Sequence, residues 1–360
     1  MTHSLPTLPL PAENDLETHA VLKLAAQAHR YLAELKGVSA TIPNENILIS
    51  TLTLQEAKDS SAVENIITTQ DDLYRASLFS ENLKNPASKE VQDYAAALRQ
   101  GFMQIRKTRL IRLQDILKIQ AILEKNRAGL RRVPGTGLKN LVTGETIYTP
   151  PQDACEVEQL MQNLVDYIND ANASDLDPLI KMALIHHQFE SIHPFYDGNG
   201  RTGRIINILY LVAQGLLDLP VLYLSRYIIR NKAAYYRQLQ AVRDDNNWEP
   251  WLLFMLEGVV QTAQQTICLI HEIKDLMQKY KHGIREQLPK IYRQELLNNL
   301  FSHPYTKIDF VVKDLQVTRI TASKYLEKLV EHQFLVKAKI GRSNYYINQP
   351  LFALFAADEQ

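Results

Sequence analysis

Apolar side chains recur along most of the chain with the spacing of an α-helix. In residues 16–36 they fall close to positions i, i+3, i+4 and i+7, at Val21, Leu22, Ala25, Ala28, Leu32 and Leu35. Gly37 is expected to end this helix. Similar patterns predict helices at about 89–107, 112–126, 153–170, 177–190, 200–215, 227–242 and 248–280. The chain is therefore predicted to be mainly α-helical.

One internal segment departs from this pattern. Between Gly129 and Pro151 the helix formers give way to Gly, Pro, Thr and Val around two short apolar stretches. Such a composition is typical of two short strands joined by a turn. We therefore expect a β-hairpin inserted among the helices.

The segment from about 285 to 350 resembles a winged helix-turn-helix. VVKDLQ would form the supporting helix, and Thr318 or Thr321 would cap a recognition helix that runs to Leu329. Gly341 and Arg342 would form the tip of the wing between two strands. Residues 301–348 hold eight Lys or Arg against four Asp or Glu, a weaker basic surplus than DNA-reading domains usually show. Contact with DNA, dimerisation and substrate presentation therefore all remain open for this region.

Composition narrows the class of protein. The 360 residues, 46% of them hydrophobic, are enough to bury a large core and suggest two or three domains. Forty acidic residues balance forty basic ones, so the net charge gives no general attraction to nucleic acid or to an anionic membrane. A partner of either kind would need a local patch.

Cysteine usage and the N-terminus indicate a compartment. Cys155 and Cys268 lie far apart in sequence, and we expect both to be small buried hydrophobic residues in a reducing environment. The proline-containing N-terminus lacks the basic flank of a targeting signal, and no apolar run approaches the ~18 residues that span a bilayer. The expectation is a cytoplasmic protein without a membrane partner.

The strongest chemical signal is HPFYDGNGRTGR, residues 193–204. An apolar helix at 177–190 ends just before this loop and a new helix begins at Gly200, so the loop leads into a helix N-terminus. The unpaired backbone N–H groups there, with Gly198 and Gly200 beside them, can form a nest for an anion. Phosphate is the natural occupant.

The side chains around this nest supply what nucleotidyl transfer needs. His193, with an ordinary pKa of about 6.5, can accept a hydroxyl proton near neutral pH. Asp197 is well placed to hold Mg²⁺, which prefers one or two carboxylates plus substrate phosphates. Arg201 and Arg204 lie three apart on the first helical turn and can both pair with phosphate oxygens. Each residue alone has an ordinary structural explanation, but the combination indicates phosphate chemistry.

Competing motifs are weaker. The chain has no G-x-x-x-x-G-K-[ST] segment, and GTGLKN at 135–140 is better explained as a turn of the hairpin. His186 and His187 are adjacent on a helix, so their side chains diverge and do not favour a shared metal site.

The loop resembles the signature of the Fic-domain family, His-x-Phe-x-Asp/Glu-Gly-Asn-Gly-Arg-x-x-Arg, with every fixed position present in order. The resemblance extends upstream through HQFESIHPF and downstream to NNWEPW, and the first third of the chain resembles the helical segment before many bacterial Fic domains. It implies a Fic-type helical bundle with a β-hairpin flap. It also implies transfer of AMP from ATP to Tyr, Thr or Ser hydroxyls of proteins, including the protein itself.

The resemblance implies a role for each signature residue. His193 would deprotonate the target hydroxyl, and Asp197 would hold Mg²⁺. The phosphates of ATP would be bound by Gly198, Asn199, Gly200, Arg201 and Arg204, with the two arginines on the outer phosphates. Phe195 would be a core anchor for the loop. The hairpin near 144–149 would be the flap that holds an extended segment of the target by strand-like pairing.

The base of the nucleotide is less well marked. By position in the family's pattern, Tyr236 and Leu239 would line the adenine site, although their near-helical spacing with Tyr235 fits core packing equally well. At Arg243 some relatives carry a polar amide that contacts the base. Nucleotide preference is therefore less firmly implied than the type of reaction.

A second segment implies regulation. EAKDSSAVENI, residues 56–66, resembles the family's inhibitory helix, with Ser60, Glu64 and Asn65 at the matching positions. The spacing of four puts Ser60 and Glu64 on one helical face. The resemblance implies that Glu64 pairs with Arg204 and takes the cation that the γ-phosphate needs. The alternative is a capping box, Ser61-x-x-Glu64, at the start of a helix.

These arguments predict three regions: an N-terminal helical segment over 1–105 with the inhibitory helix at about 56–67, a Fic catalytic core over 106–284, and a winged helix-turn-helix over 285–360. The favoured function is an autoinhibited, Mg²⁺-dependent protein adenylyltransferase. The alternatives are a regulatory DNA-binding protein whose Fic core senses nucleotide, and a hydrolase in which Glu64 orients the water that removes AMP. Expected partners are ATP, a protein with a hydroxyl side chain, and the chain itself as substrate; a homodimer stays open.

Overall fold

A computed structural model describes residues 5–11, 15–78, 85–139, 143–340 and 343–356. In chain order its elements are α1 (His19–Ser39), α2 (Glu45–Val63), α3 (Gln70–Leu78), α4 (Pro86–Thr108), α5 (Leu113–Glu124), β1 (Leu138–Lys139), β2 (Thr146–Tyr148), α6 (Ala154–Asn169), α7 (Pro178–Ile192), α8 (Asn199–Ala213), α9 (Ser225–Arg230), α10 (Lys232–Asp245), α11 (Trp248–Gln287), α12 (Gln294–Ser302), β3 (Tyr305–Thr306), α13 (Ile308–Leu315), α14 (Arg319–Glu331), β4 (Val336–Ile340), β5 (Ser343–Ile347) and α15 (Gln349–Ala356). The prediction of a mainly helical protein is confirmed.

Two central helices carry the loop at 193–204. In α7 every residue from Leu179 to Ile192 is buried, and in α8 every residue from Arg201 to Val212 is buried. A helix that is buried on all sides belongs to the core rather than to the surface. Around this pair pack α4, α5, α6 and α11, while α1 lies along the 40-residue α11. The loop therefore leaves and re-enters a fully buried part of the core.

Helix boundaries differ from the sequence pattern in a few places. α1 continues through Gly37 to Ser39, and Leu22 is 44% exposed although it fits the apolar spacing. The single helix expected at 227–242 is two helices, α9 and α10, that meet at Asn231. Helical spacing alone does not locate a break that keeps both segments on the same core.

The expectation of buried cysteines is wrong, since Cys155 and Cys268 are both exposed and free. Cys155 lies in the first turn of α6, whose buried stripe begins at Val157. Cys268 lies on α11 between the buried residues Ile267 and Leu269, on the outward side of the helix. A small hydrophobic residue on the polar face of an amphipathic helix stays accessible because the helix period, not the residue type, decides burial.

The predicted hairpin is present as a two-stranded antiparallel sheet. β1 pairs with β2 in the register Leu138 with Tyr148 and Lys139 with Thr146, and the pairing is irregular between these rungs. Residues 140–142 lie outside the described residues. The sheet lies beside the start of the 193–204 loop, because Tyr148 donates a hydrogen bond from its hydroxyl to the backbone oxygen of Ser191 (2.9 Å).

The C-terminal region has the predicted winged helix-turn-helix elements. α13 and α14 form the helical pair, Thr318 caps α14 by accepting from the Thr321 N–H (3.2 Å), and a three-stranded sheet runs in the order β3-β5-β4. The expected wing tip, Gly341 and Arg342, lies outside the described residues. This region packs on the N-terminal helices, where the rings of Tyr74 and Tyr305 stack with centroids 5.9 Å apart.

Helix α11 is long and apolar enough, by length and composition, to cross a membrane. Of its most apolar 18-residue window 67% is buried inside the protein, against α1, α7 and other helices. A core helix of this length passes the same test as a membrane span, so the finding is weak evidence for a membrane.

Candidate active site

The loop begins where α7 ends at His193. This residue adopts the left-handed conformation with φ 48°, and its N–H donates to the oxygen of Phe189 (3.0 Å). The left-handed residue closes the helix and turns the chain. Phe195 follows as a fully buried side chain against Phe189, with ring centroids 6.2 Å apart. Phe195 thus anchors the loop in the core, as predicted.

A buried arginine holds this loop from behind. Arg131 donates from Nε to the His193 oxygen (2.8 Å) and from Nη2 to the oxygens of Ile192 (3.2 Å) and Pro151. Its backbone N–H donates to the oxygen of Pro194 (2.9 Å). Because the last carbonyl groups of a helix lack intrahelical partners, Arg131 satisfies groups that would otherwise be buried unpaired. Arg131 is not among the residues predicted from the sequence, since nothing local to Gly129-Leu-Arg-Arg indicates a partner some 60 residues away.

Burial lowers the pKa of His193 to about 4, and the guanidinium groups of Arg243 and Arg131 act in the same direction. The backbone of Glu190 and the carboxylate of Glu64 oppose this shift. The expectation of an ordinary histidine pKa was therefore wrong, because a charged imidazole here would be desolvated beside two cations. At neutral pH the ring is uncharged, which is the form that accepts a proton.

The predicted anion nest corresponds to the start of α8. Gly198 has φ 77°, a conformation that a side chain disfavours, and α8 begins at Asn199, one residue earlier than expected. The Asn199 side chain accepts from the Phe195 N–H and donates to the Phe195 oxygen, both at 2.8 Å. Its side chain therefore fixes the loop, and its contribution to the nest comes from its backbone N–H. A Cβ at Gly200 would collide with the carboxylate of Glu64.

Arg204 is held by the end of α2. Its Nε donates to the Ser60 hydroxyl (2.8 Å), and its Nη2 donates to the Ser60 backbone oxygen (2.9 Å) and to Glu64 Oε1 (2.8 Å). The Arg204 side chain is 2% exposed and that of Glu64 35%. Burial disfavours ionisation of Glu64, but the charge and hydrogen bond of Arg204, together with the charges of Arg201 and Lys232, outweigh burial and lower the pKa of Glu64. The structure thus brings Glu64 and Arg204 together, as the resemblance implied, and adds Ser60 as a second partner of Arg204.

The capping-box alternative for Glu64 is wrong. α2 ends at Val63 and Glu64 is its C-cap, so the carboxylate has no helix N-terminus to cap. Asn65 follows in the left-handed conformation with φ 63°, and its side-chain oxygen accepts from Lys232 Nζ (2.9 Å). The glutamate therefore stands at the tip of a helix that points into the nest.

The other signature arginine is also ion-paired. Arg201 donates to Glu90 Oε2 (2.9 Å) on α4 and to Glu124 Oε1 (2.8 Å) at the end of α5, and its side chain is 5% exposed. A Cβ at Gly198 would collide with the Glu124 carboxylate. Two carboxylates, those of Glu64 and Glu124, therefore stand over the nest where anions would bind. The sequence argument missed the second, because its helix carries no motif.

Asp197 is the candidate metal ligand. It is exposed, and its Oδ1 accepts from the Gly198 N–H (2.7 Å). Within the described residues no group of three His, Cys, Asp or Glu side chains is arranged to hold a metal ion. A single carboxylate beside a phosphate nest fits Mg²⁺, which keeps several waters and takes most other ligands from a nucleotide.

The candidate base-pocket residues differ in exposure. Tyr236 is 45% exposed, whereas Leu239 is 3% exposed and belongs to the core. Burial raises the pKa of Tyr236, and the charge of Glu64 raises it further, which puts this ring near the α2 tip. Tyr235 is buried, and its hydroxyl lies 2.8 Å from His186 Nε2. Of the two candidates only Tyr236 offers an accessible face.

Three family models match successive parts of the chain. They are the Fic/DOC family N-terminal model over residues 22–103, the Fic/DOC family model over 110–211, and the C-terminal domain of protein adenylyltransferase SoFic-like over 276–351. The chain belongs to the Fic/DOC family.

Solved structures share the fold. A Fic family protein from Desulfovibrio desulfuricans aligns over 92% of this chain and 96% of its own, with a TM-score of 0.59 and 20% identity. Fic-1 from Caenorhabditis elegans aligns over 70% of this chain and 74% of its own, with a TM-score of 0.52 and 19% identity. At these identities the likeness concerns the fold.

Curated relatives match a part of the chain. The protein adenylyltransferase fic-1 of Caenorhabditis elegans is 30% identical over 156 residues, 42% of this chain and 29% of the relative. The protein adenylyltransferase Fic of Drosophila willistoni is 29% identical over 115 residues, 32% of this chain and 22% of the relative. The chain thus spans less than a third of the length of these relatives.

Proposed function

We propose that the chain is an autoinhibited protein adenylyltransferase that transfers AMP from ATP to a hydroxyl side chain of a protein, itself included. One observation carries this proposal. An uncharged, partly buried imidazole and two arginines lie at a helix N-terminus whose anion positions are filled by carboxylates. The names of the curated relatives support the same reaction. Helix N-termini with glycine-flanked N–H groups favour phosphate.

In the proposed reaction His193 accepts the proton of the target hydroxyl. The hydroxyl oxygen then bonds to the α-phosphorus of ATP, the bond from that phosphorus to the bridging oxygen breaks, and pyrophosphate leaves. The low pKa of His193 keeps the ring ready to accept a proton at neutral pH. The N–H groups of Gly198, Asn199 and Gly200 would bind the α- and β-phosphates, and Arg201 and Arg204 the outer ones.

Mg²⁺ is proposed as the metal, with Asp197 as its protein ligand. When bound, Mg²⁺ neutralises phosphate charge. The Asp197 carboxylate already accepts the Gly198 N–H, which orients it toward the start of α8. Removal of divalent cation with a chelator should therefore abolish transfer.

Inhibition is proposed to come from Glu64. While Glu64 pairs with Arg204, this arginine is not available to the outer phosphate of ATP. The Glu64 carboxylate also occupies the space beside Gly200 where a phosphate would bind. ATP that enters would bind with its α-phosphate out of line for attack. Removal of the Glu64 carboxylate should free Arg204 and vacate the anion position beside Gly200.

The test is incorporation of label from α-labelled ATP. The chain with Glu64→Gly should label itself faster than the natural chain, and mass spectrometry should place AMP on a Tyr, Thr or Ser hydroxyl. Adding His193→Ala should abolish labelling, whereas His271→Ala, an exposed histidine on α11, is the matched control and should not. Labelling that survives His193→Ala would refute the proposed base.

Removal of AMP is a second candidate on the same site. Glu64 is ionised, partly exposed, and its charge acts on His193, so it can orient a water for attack on a modified hydroxyl. Release of AMP from pre-modified protein by the natural chain, lost in Glu64→Gln, would support this direction.

The regulatory DNA-binding alternative is not favoured by charge. The outer face of α14 carries Arg319, Lys324 and Lys328 together with Glu327 and Glu331. Filter binding at low and moderate salt tests this alternative, since phosphate contacts give a steep salt dependence. A cytoplasmic location also remains a proposal.

A further inference from the structure

The flap strand β2 is fastened to the last turn of α7. Tyr148, the last residue of β2, donates from its hydroxyl to the backbone oxygen of Ser191 (2.9 Å), two residues before His193. The neighbouring residue Ile147 is 50% exposed, and among the described residues its backbone oxygen accepts one long hydrogen bond, from Gln240 (3.4 Å). Tyr148 is therefore the principal tie between this strand and the catalytic loop.

Arg243 of α10 contacts both sides of this tie. Its guanidinium carbon lies 4.0 Å from the centroid of the Tyr148 ring, within the range of a cation–π interaction. Its Nε donates to the Ser191 hydroxyl (3.0 Å) and its Nη2 to the Glu190 backbone oxygen (3.1 Å). One side chain thus joins the flap, the end of α7 and α10.

Arg243 has no carboxylate within ion-pair distance among the described residues. Burial lowers the pKa of this arginine, so its charge is costly where it stands. A neutral side chain would be cheaper if the site only needed packing. We therefore connect the charge of Arg243 with the groups it acts on, which are the flap residue Tyr148 and His193.

We infer that Tyr148, Ser191 and Arg243 form a flap latch that fixes β2 against the catalytic loop, so that a hydroxyl paired with the flap is presented to His193 in the geometry for attack. Arg243 and Tyr148 are positioning residues in this account, which rests on the proposed transfer of AMP. A target segment bound to a loose strand would sample many positions. A displacement of about 1 Å can cost on the order of 100-fold in rate.

The first test uses transfer rates in the Glu64→Gly background. Tyr148→Leu and Arg243→Met should each lower the rate of self-modification at saturating ATP by about tenfold or more, while the ATP concentration for half-maximal rate changes less than threefold. Tyr148→Phe keeps the ring under Arg243 but removes the hydrogen bond to Ser191, so it should lower the rate less than Tyr148→Leu does. Arg285→Met is the control and should have no effect. It removes an arginine of α11 whose guanidinium carbon lies 4.5 Å from the centroid of the Tyr292 ring.

The second test is the pH profile, which a purely structural role would not shift. The groups that act on His193 are the charges of Arg243 from α10, Arg131 from the segment before β1 and Glu64 from α2, together with the backbone of Glu190 in α7. Arg243→Met removes a charge that lowers the pKa of His193, so the acid limb of the rate profile should move to higher pH. Arg243→Lys, which keeps the charge, should restore the limb, and Tyr148→Leu should leave it in place.

The third test does not need activity. Hydrogen exchange of the 144–150 backbone should accelerate in Tyr148→Leu and Arg243→Met and not in Arg285→Met. If Glu64→Gly alone transfers no AMP, the proposed function fails, and exchange still decides on the latch. Unchanged exchange, or Glu64→Gly rates that survive both latch substitutions, would overturn the latch while leaving the reaction intact.

Discussion

The two arginines at the start of α8 are both paired with carboxylates, but the carboxylates come from different parts of the molecule. Arg204 is held by the tip of α2, through Ser60 and Glu64. Arg201 is held by Glu90 and Glu124, on the helices α4 and α5 that pack on one another and on α8. One end of the proposed phosphate site is therefore closed by the end of α2, and the other end by the packed helices α4 and α5.

This difference predicts that the Arg204 end of the site opens more readily than the Arg201 end. Residues at the end of a helix unfold locally at lower free energy than those in a packed interior, and Glu64 is the C-cap of α2. The body of α2 is anchored more firmly, because Asp59 pairs with Arg226 (3.1 Å) and Glu56 accepts hydrogen bonds from Ser225. Release of the last turn alone would free Arg204 without dismantling the helix.

The largest expected effect comes from loss of the cation itself. In the Glu64→Gly background, Arg204→Gln should lower AMP incorporation about 100-fold, because charge-assisted hydrogen bonds to phosphate are each worth roughly 1.5–3 kcal/mol. Incorporation of label at fixed ATP measures this. Thermal unfolding should confirm that the variant is folded, and activity equal to Glu64→Gly would mean that Arg204 serves only to hold the inhibitor.

The next effect is removal of the α2 tip. Glu64→Gly should raise incorporation about tenfold or more over the natural chain, since one charged contact on Arg204 is lost. The initial rate of label incorporation gives the comparison. Glu34→Gly, an exposed glutamate on α1, serves as control and should leave the rate unchanged. An unaltered rate in Glu64→Gly would contradict the inhibitory role.

At the framework end the effect should be smaller. Glu124→Gln removes one of two carboxylates on Arg201 and leaves Glu90 in place, so incorporation at subsaturating ATP should rise only about two- to fivefold. Combined with Glu64→Gly the gains should depart from additivity in free energy, because the charge of Arg201 also acts on Glu64. A loss of activity in Glu124→Gln would show instead that Glu124 supports nucleotide binding.

The last prediction concerns pH and the anchoring of α2, and the expected effect is on stability rather than on activity. Burial raises the pKa of Glu56 to about 8. The folded state thus holds this proton more tightly than the unfolded one, so the stabilisation is complete below about pH 4.5 and is lost as pH rises toward 8. Unfolding free energy should fall by at most about 1.4 kcal/mol per pH unit from this group, and less steeply in Glu56→Gln. Parallel pH profiles for the two chains would contradict the assignment.

Much of this site follows from the sequence. HPFYDGNGRTGR predicted the loop between two helices, and the spacing of Ser60 and Glu64 predicted a shared face, which the contacts of both with Arg204 now show. These features are local, since they depend on helix period and on residues within one segment. Roles for the individual residues in catalysis stay predictions.

The remaining features depend on distant segments. Glu124 reaches Arg201 across 77 positions of sequence, and Arg131 reaches the His193 carbonyl across 62. Tyr148 and Arg243 meet only because the hairpin folds onto α10. The low pKa of His193 has the same origin, because burial and cations from other elements set it. A motif fixes which groups are present, whereas packing decides their charge state and partners.

Titration calorimetry of Mg·ATP tests the central claim most directly, since it measures whether the α8 nest binds a triphosphate and whether Glu64 competes with it. The account predicts that the Glu64→Gly chain binds Mg·ATP at least about tenfold more tightly than the natural chain, and that Arg204→Gln removes this gain. Equal affinities in the natural and Glu64→Gly chains, or no heat in either, would contradict it.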